Sequence, residues 1–424
     1  MKTNGNEPGR VIGLDAHPDS FTAVILCGPT PAAAIVEKMF DHVPLDQLAK
    51  WAQKNARPDD EIVLEASGNS FQVVRELAKV GREAKVLESC HLGKLKEGHA
   101  NNDKLSALRI GKAYLAGTAK EVWVPDLRTQ ERRDWYHAYH KTVKHSRRVR
   151  CSLRSYLSDN GVRLKAHTRL TQPGQAEPQI RSARDWTDRQ WRVIEGKLLE
   201  LRHAEEQREH WHRLIAQEVL DDPELLALVR LCGVREITAF ALGAFIGDIH
   251  RFASSKKLVK YVGFNPAFDN SGETAWSGGI GGHGHRILRS LLVEGSQAIL
   301  RSASQPLAHW GKKLLARKGA KNLVVCALAR KLTVAVWYLM MGRWTTVEEI
   351  DAALSLKVGR LVRLSGPAGQ KLSRQPRKRL RQQAFALLKA GKTYVLKKSD
   401  WKFCPKPAGQ ATTGLTQEYG LSRV

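Results

Sequence analysis

The first part of the chain alternates between short apolar runs and amphipathic segments. The apolar runs have strand-like composition and read, in order, RVIGLDAH, FTAVILCG, PAAAIVEKMF, EIVLEAS and EAKVLES. Between them, apolar residues from Leu45 to Ala52 recur at helical spacing, and FQVVRELAKVG has the pattern of another helix. This order predicts an α/β domain over residues 10–125, with strands first and helices packed on them.

The pattern changes over residues 126–222, which are rich in Arg, Glu, Gln, His and Trp. An apolar series that includes Trp191, Ile194, Leu198 and Leu201 recurs at helical spacing and predicts a helical coiled arm. The segment TQPGQAEPQ, residues 171–179, contains Pro and Gly and is predicted to be a loop that breaks the helices.

The remainder divides into a mainly α-helical second domain, residues 223–344, and a basic C-terminal extension, residues 345–424. The longest apolar run, from Asn322 to Met341, is interrupted by two cations and predicts a buried helix rather than a membrane span. The N-terminal MKTNGNEPGR lacks the apolar core of a signal peptide. We therefore expect no membrane association.

Charge narrows the classes of function. The chain has 69 Lys plus Arg against 42 Asp plus Glu, a formal net charge of +27, and a pI near 10.0. Such a balance favours a polyanionic partner, and nucleic acid is the default because bound phosphates release counterions. The six cysteines form no C-x-x-C motif, which argues against a zinc site or a disulfide framework. We expect a nucleic-acid-binding protein of a reducing cytosol.

Two basic segments are candidates for phosphate contact. KTVKHSRRVRCSLRSYL has no acid and carries Arg147, Arg148 and Arg150 on a predicted helix, although a solvated charged face is the alternative. SRQPRKRLRQQ, in the C-terminal extension, also lacks acids, and a solubilising tail is its alternative. Its candidate residues are Arg377, Lys378 and Arg379.

Three carboxylates occupy positions that suggest a metal site. Asp15 ends one apolar run and Glu65 ends another, so adjacent strands would bring both side chains to one edge of the sheet. Asp103 begins a later helix, where it either caps the helix or reaches the same edge. Carboxylates crowded together repel unless a cation neutralises them, and oxygen ligands suit Mg²⁺. A basic protein with such a cluster suggests nucleic-acid chemistry.

These residues resemble a known family. GLDAH, VLEASG and NDKLSALRI resemble the RuvC-like domain of the DEDD insertion-sequence transposases, the IS "one-ten" family. In the C-terminal half, LVRLCGVREITAFALGAFIGDIHRF and LVKYVGFNPAFDNSGETAWSGGIGGHGHRILRSLLVEGS resemble the second transposase domain of that family. Together these regions cover roughly half of the chain. The resemblance implies an RNase H-like fold for the N-terminal domain and a helix-hairpin-helix-like element in the second.

The resemblance also implies roles for individual residues. Asp15, Glu65 and Asp103 would hold Mg²⁺, and Ser106 stands where the family has a fourth carboxylate, as a weak ligand or a site of lost charge. Ser271, which precedes a glycine, matches the nucleophilic serine, with Ser277 as the alternative. Arg289 falls on the family pattern GxxxxR and would neutralise phosphate charge.

The function that follows from the resemblance is DNA transposition. The enzyme would cut and rejoin DNA through a phosphoserine link, guided by a structured noncoding RNA, as a homo-oligomer (a dimer or a tetramer). Two alternatives stay open at this point. One is a RuvC-like metal nuclease that hydrolyses junction DNA, and the other is a nonenzymatic nucleic-acid-binding relative in which Ser106 marks lost metal binding.

Overall fold

A computed structural model describes residues 9–89, 102–165, 168, 170, 172–271, 274–302, 305–343, 351–365 and 374–390. The chain divides into two compact units, Met1–Asp126 and Leu127–Val424. The N-terminal unit is a mixed α/β domain, and the C-terminal unit is mainly helical. Each unit has its own apolar core.

A six-stranded sheet organises the N-terminal unit. Its strands are β1 (Arg10–Ala16), β2 (Ser20–Cys27), β3 (Ile35–Pro44), β4 (Glu61–Glu65), β5 (Ala84–Leu87) and β6 (Glu121–Val122). Its helices are α1 (Leu48–Asn55), α2 (Ser70–Lys79) and α3 (Asp103–Leu115). The strand order is β3-β2-β1-β4-β5-β6, in which β1, β4 and β5 are parallel and the other pairs are antiparallel. The prediction of an α/β domain is confirmed at this level.

The two faces of the sheet bury different side chains, as the alternation along β1 requires. Ile12 and Leu14 share a core with Leu48 and Leu77 of helices α1 and α2. On the opposite face, Val11 packs with residues of α3. A Cβ at Gly13 would lie 2.1 Å from the Ala107 carbonyl oxygen, so only glycine lets α3 lie this close to β1. This close approach brings the start of α3 toward the carboxyl end of β1.

The C-terminal unit consists of helices and one two-stranded hairpin. The helices are α4 (Leu127–Asp159), α5 (Pro173–Arg181), α6 (Asp188–Asp221), α7 (Pro223–Leu228), α8 (Glu236–Ile246), α9 (Ser255–Val262), α10 (Arg286–Arg301), α11 (Pro306–Lys318), α12 (Lys321–Met340), α13 (Asp351–Leu364) and α14 (Arg374–Ala390). The hairpin pairs β7 (Pro266–Ser271) with β8 (Thr274–Ile280). Short 3₁₀ segments occur at Leu45–Gln47 in the first unit and Ile249–Arg251 in the second.

Helices α4 and α6 pair along their length, which agrees with a helical arm, but the pair serves two cores. Leu153 of α4 and Leu198 of α6 belong to a small separate core, whereas Tyr136 and Ile215 belong to the large core of the unit. The predicted loop at residues 171–179 is wrong, because α5 occupies most of this segment. Pro173 is tolerated because it lies in the first turn, whereas Pro178 lies inside the helix. The buried Ile180 packs α5 against the helix pair.

The C-terminal helices α13 and α14 also join the large core. Leu354 and Leu380 are fully buried in it, so the described part of residues 345–424 is not a detached extension. The Lys357 ammonium donates to the carbonyl oxygens of Val229, Leu231 and Val234 at 3.2, 2.7 and 2.9 Å. These bonds satisfy carbonyls in the turn after α7 and attach α13 to it.

Helix α12 is the one described helix long and apolar enough to cross a membrane by length and composition. Its apolar residues, including Leu328, Leu332 and Val336, are buried against the other helices of the unit. The helix therefore packs as a core helix, as predicted from its sequence.

Candidate functional site

The carboxyl ends of β1 and β4 bring two of the predicted acids to one edge of the sheet. Leu14 and Leu64 are direct partners in the parallel register, and Asp15 and Glu65 each follow by one residue. Asp15 lies on the same strand face as Gly13, the face that α3 covers. Asp15 therefore lies on the side of the sheet that α3 covers.

Helix α3 shows that Asp103 is not the helix cap. The N-cap is Asn102, whose side chain accepts a hydrogen bond from the Leu105 backbone N–H at 2.8 Å. Asp103 is the first helical residue, and its carboxylate lies 3.4 Å from His17 Nε2 and 3.6 Å from His42 Nε2. Its side chain is thus available for a site at the sheet edge, where the helix dipole also favours negative charge.

Asp15, His17 and Asp103 form a cluster of possible metal ligands. Each contributes one ligand atom, and these atoms lie within 4.8 Å of one another. The side chains of His17 and Asp103 are 46% and 31% exposed, so the cluster opens to solvent. Two carboxylates and one imidazole are a suitable donor set for a divalent cation that keeps open coordination positions. Glu65 is not one of this group among the described residues.

His17 was not identified from the sequence, although it lies two residues after Asp15 in the GLDAH motif. The turn between β1 and β2 holds it: the His17 backbone N–H donates to Ser20 O at 2.8 Å. Asn69 Nδ2 donates to His17 O, also at 2.8 Å. The spacing from Asp15 was the available signal, but only the turn geometry directs the imidazole to Asp103.

A second set of side chains surrounds Asp103. Asp41 contacts Lys104 Nζ at 2.9 Å and His42 Nδ1 at 2.8 Å, and the Lys104 ammonium holds the pKa of Asp41 below its ordinary value. His42 has a positive φ of 48°, a conformation that nonglycine residues adopt rarely. Asp41 therefore holds the imidazole of His42 beside Asp103. Neither Asp41 nor His42 was singled out from the sequence.

Ser106 follows Asp103 by three residues on α3, so both side chains lie on one face of the helix. The side chain is half-buried. Its predicted role as a weak metal ligand stays a prediction, as do the ligand roles of Asp15, Glu65 and Asp103.

The predicted nucleophile lies in the second unit. Ser271 ends β7 opposite Thr274, and Ser277 in β8 pairs with Phe268. The Gly-rich, polar composition of this stretch is typical of a connecting loop, but its residues pair as a hairpin. The backbone of both serines is part of the hairpin, while their side chains lie outside what the structure describes.

Arg289 and the glycines before it brace the segment that follows the hairpin. The Arg289 guanidinium donates to His283 O at 2.5 Å and to Gly282 O at 3.4 Å. A Cβ at Gly284, whose φ is 100°, would lie 2.6 Å from the Gly263 Cα. Part of the hydrogen-bonding capacity of Arg289 therefore holds this segment in place, and its predicted phosphate contact stays a prediction.

His285 sits between this segment and α10. Its ring lies 4.5 Å from that of Phe245, and its Nδ1 accepts the Leu288 backbone N–H at 3.3 Å as the helix cap. Burial, together with the positive charge of Arg133, lowers the pKa of His285 to about 4. The imidazole is thus neutral near neutral pH, as its acceptor role requires.

The basic residues of α4 occupy the side opposite its buried stripe. Ser146, Val149 and Leu153 face α6. Arg147 and Arg148 are exposed. Arg150 is half-buried, and its Nε donates to Ser146 O at 3.3 Å. In α14, Arg377 is half-buried, while Lys378 and Arg379 are exposed. Contact of these residues with nucleic acid stays a prediction.

The turn between α7 and α8 has a packing role. Gly233 has a φ of 73°, and a Cβ there would lie 2.6 Å from Gly295 O of α10. The backbone N–H groups of Arg230, Leu231 and Val234 donate within the turn itself. These contacts pack the turn against α10, and contact of a helix-hairpin-helix-like element with a DNA phosphate stays a prediction.

Part of the second unit is similar to a family of transposases. Residues 226–310 match the model of the Transposase IS116/IS110/IS902 family. The candidate residues Ser271, Ser277 and Arg289 lie within this region.

Relatives named as transposases align over longer stretches. The chain is 23% identical over 287 residues to the transposase for insertion sequence element IS1111A of Coxiella burnetii, across 67% of this chain and 78% of the relative. It is 25% identical over 309 residues to the putative transposase y4qE of Sinorhizobium fredii, across 64% and 73%. It is 31% identical over 135 residues to the transposase for insertion sequence element IS1328 of Yersinia enterocolitica, across 31% and 40%. These alignments relate the chain to insertion-sequence transposases.

Proposed function

We propose that this protein is an insertion-sequence transposase that cuts and rejoins DNA. The observation that carries the proposal is the convergence of Asp15 and Asp103 at one sheet edge, in a chain whose second unit matches a transposase family. A net charge of +27 suits a DNA substrate, and the relatives are named as transposases. The proposed place of action is the cytoplasm.

The N-terminal unit is proposed to be an RNase H-like, or RuvC-like, catalytic domain. Its acids lie at the ends of the adjacent parallel strands β1 and β4 and at the start of α3, which supports this assignment. Asp15 and Asp103, with Glu65 from the next strand, would hold Mg²⁺, and His17 is a further candidate ligand. When bound, Mg²⁺ supplies Lewis acidity at the scissile phosphate.

The covalent step is assigned to Ser271. Its Oγ attacks the DNA phosphorus and forms a phosphoserine bond, while the bond from phosphorus to the leaving DNA oxygen breaks. The serine proton leaves to a base, and the leaving oxygen takes up a proton. Because one phosphoester replaces another, a DNA hydroxyl can reverse the exchange and rejoin a strand without an added energy source.

Cutting and rejoining two DNA partners requires several serines, so we propose a homo-oligomer, a dimer or a tetramer. We also propose a structured noncoding RNA as the guide that selects donor and target DNA. The exposed cations of α4 and α14 are suitable for its phosphates, among them Arg147, Arg148, Lys378 and Arg379. Arg289 holds the segment after the hairpin and keeps further N–H donors for a substrate phosphate.

The test is a search for a protein–DNA adduct on a denaturing gel. Wild-type protein, incubated with Mg²⁺, guide RNA and end-labelled DNA carrying the element ends, should form an adduct. Ser271→Ala should bind the same DNA and form none, whereas Ser277→Ala should behave as wild type. If only Ser277→Ala loses the adduct, the nucleophile is Ser277.

The same gel separates the alternative functions. Mg²⁺-dependent cleavage by the wild type without any adduct would identify a metal nuclease that hydrolyses DNA. Nucleic-acid binding with neither cleavage nor adduct would identify a nonenzymatic relative.

A further inference from the structure

Helices α11 and α12 expose basic residues and contain no acid. No Asp or Glu occurs between Glu294 and Glu348. The exposed cations of this stretch that have no carboxylate partner within the described residues include Lys312, Lys313, Arg317, Lys318, Arg330 and Lys331. Fixed positive charge without compensation in the chain favours an anionic partner.

An exposed tryptophan lies among these cations. Trp310, Lys313 and Arg317 are spaced three and four residues apart, so they form one stripe along α11. Lys331 of α12 places its Nζ 4.6 Å from the centroid of the Trp310 ring. Trp310 is 36% exposed. We call Trp310, Lys313, Arg317 and Lys331 the Trp310 surface.

The Trp310 surface stands on a tightly packed support. Leu307, Gly311 and Leu314 are buried on the adjoining side of α11. A Cβ at Gly311 would meet side-chain carbons of Leu300 and Leu328 at 3.1 Å, so α11 lies close to α10 and α12. The stripe is therefore held by packed helices rather than by a loop, and its side chains share a fixed backbone.

We propose that the Trp310 surface binds single-stranded nucleic acid, with a base stacked on Trp310 and flanking phosphates on Lys313, Arg317 and Lys331. An aromatic ring among unpaired cations is the combination that single strands recognise, because each nucleotide offers a base face and a phosphate. A duplex stacks its bases internally and leaves the indole without a matching face. An acidic protein surface would contact the cations but would leave the exposed indole without a role.

This inference goes beyond the proposed function. The Trp310 surface begins at the last residue of the matched family region, 226–310, and continues past it. It requires neither the carboxylates of the first unit nor Ser271. Binding at this surface and cleavage of DNA can therefore fail independently.

Fluorescence anisotropy with the full chain tests the proposal. The probes are a labelled oligo(dT) of about 15 nucleotides, near the size of one single-strand site, and the dT·dA duplex of the same length. Trp310→Ala should weaken single-strand binding about tenfold, since one stacked base contributes roughly 1–3 kcal/mol. Duplex binding should change by less than about twofold on the same reasoning. Trp310→Tyr retains an aromatic face and should restore most of the single-strand affinity.

Two double variants separate specific contact from general charge. Lys313→Gln/Arg317→Gln should reduce the salt slope of single-strand binding by about 1.4, the release expected from two phosphates. Lys50→Gln/Lys54→Gln removes the same charge from exposed positions on α1 and should leave the slope unchanged. Thermal unfolding confirms that each variant is folded. If Trp310→Ala unfolds, the Lys313/Arg317 variant decides.

Three results would overturn the proposal. One is wild-type affinity of folded Trp310→Ala for oligo(dT). Another is an equal loss of single-strand and duplex binding, which would identify a duplex-binding surface instead. The third is absence of single-strand binding by the wild-type protein.

Discussion

Two carboxylate clusters, one in each unit, contain the same kinds of acid in opposite surroundings. In the first unit, the contacts of Asp103 are histidines, and the cluster with Asp15 opens to solvent. In the second unit, Glu218 and Asp222 have side chains only 6% and 8% exposed, and both contact Arg132, at 2.7 and 2.5 Å. Two arginines, Arg128 and Arg132, neutralise the buried pair. In the open cluster, Asp103 contacts imidazoles instead.

The difference shows how surroundings decide what a carboxylate does. Burial alone would raise the pKa of Asp222, but Arg132 and two backbone N–H groups at the start of α7 lower it. Asp222 is thus held ionised as a structural group. Asp103 contacts no such guanidinium among the described residues, and the open cluster is where we propose that Mg²⁺ binds.

The largest expected effect concerns the open cluster. Asp15→Asn should reduce Mg²⁺-dependent DNA cleavage by at least about a thousandfold, which corresponds to about 4 kcal/mol of transition-state stabilisation. DNA affinity should stay nearly constant, because one charge hardly alters a net charge of +27. Single-turnover cleavage and a gel-shift titration measure the two effects. Cleavage at the wild-type rate would remove Asp15 from the catalytic site.

The buried cluster should respond in stability. Arg132→Met leaves two acids buried, and we expect a loss of about 3 kcal/mol, the lower end of the range for a broken buried pair. The value is at the lower end because Arg128 also contacts both acids, at 3.1 and 3.4 Å. Calorimetry of the full chain should show a lower melting temperature for the second unit.

Arg128→Met is the matched control for this comparison. The Arg128 side chain is 57% exposed, and its removal should cost less than about 1 kcal/mol. Equal effects of the two substitutions would mean that the buried pair is not held mainly by Arg132.

A smaller effect is expected from the pH dependence of His285. Its folded pKa of about 4 lies below the ordinary 6.5, so the unfolded chain binds more protons between these values. This contribution to stability is complete above pH 6.5 and is lost as the pH falls toward 4. We expect it to amount to about 1–2 kcal/mol between pH 8 and pH 5, after allowance for partial exposure.

His285→Asn isolates this contribution, because asparagine caps helices but does not titrate. Urea unfolding at pH 8 and pH 5 should show a smaller loss of stability for this variant than for the wild type. An identical pH dependence would assign the acid sensitivity to other groups.

The smallest expected effect tests whether Ser106 belongs to the open cluster. Ser106→Asp places a further carboxylate on the face of α3 that carries Asp103, and should lower the Mg²⁺ midpoint of cleavage by about fivefold. Ser106→Ala is the control and should not tighten the midpoint. An unchanged midpoint in the aspartate variant would place Ser106 outside the metal site.

Much of the candidate site was predictable because strand ends and helix starts are local features. The apolar runs before Asp15 and Glu65 marked β1 and β4, and the polar residues before Leu105 marked the start of α3. Asn102 rather than Asp103 caps that helix, a choice that depends on backbone geometry within one turn. His17 lies in the turn after β1 and His42 lies on β3, so only the folded chain brings both imidazoles to Asp103.

Two segments whose composition favours a loop form regular structure instead, because contacts with other segments stabilise it. The Gly- and Ser-rich composition around Ser271 favoured a loop, but pairing between β7 and β8 stabilises extended backbone there. The prolines of residues 171–179 favoured a loop as well, but burial of Ile180 against the helix pair supports α5. Tertiary contacts decided both segments against their local propensities.

The sequence by itself determined the α/β alternation, the helical periodicity, the excess of positive charge and the positions of the acids at element ends. These properties depend on residue spacing and on charge, which neighbours along the chain specify. Only the tertiary structure decided which acids meet a histidine, which meet an arginine, and that Trp310 lies beneath Lys331. Such encounters join residues distant in the sequence, and they depend on helix packing and strand register that no local pattern encodes.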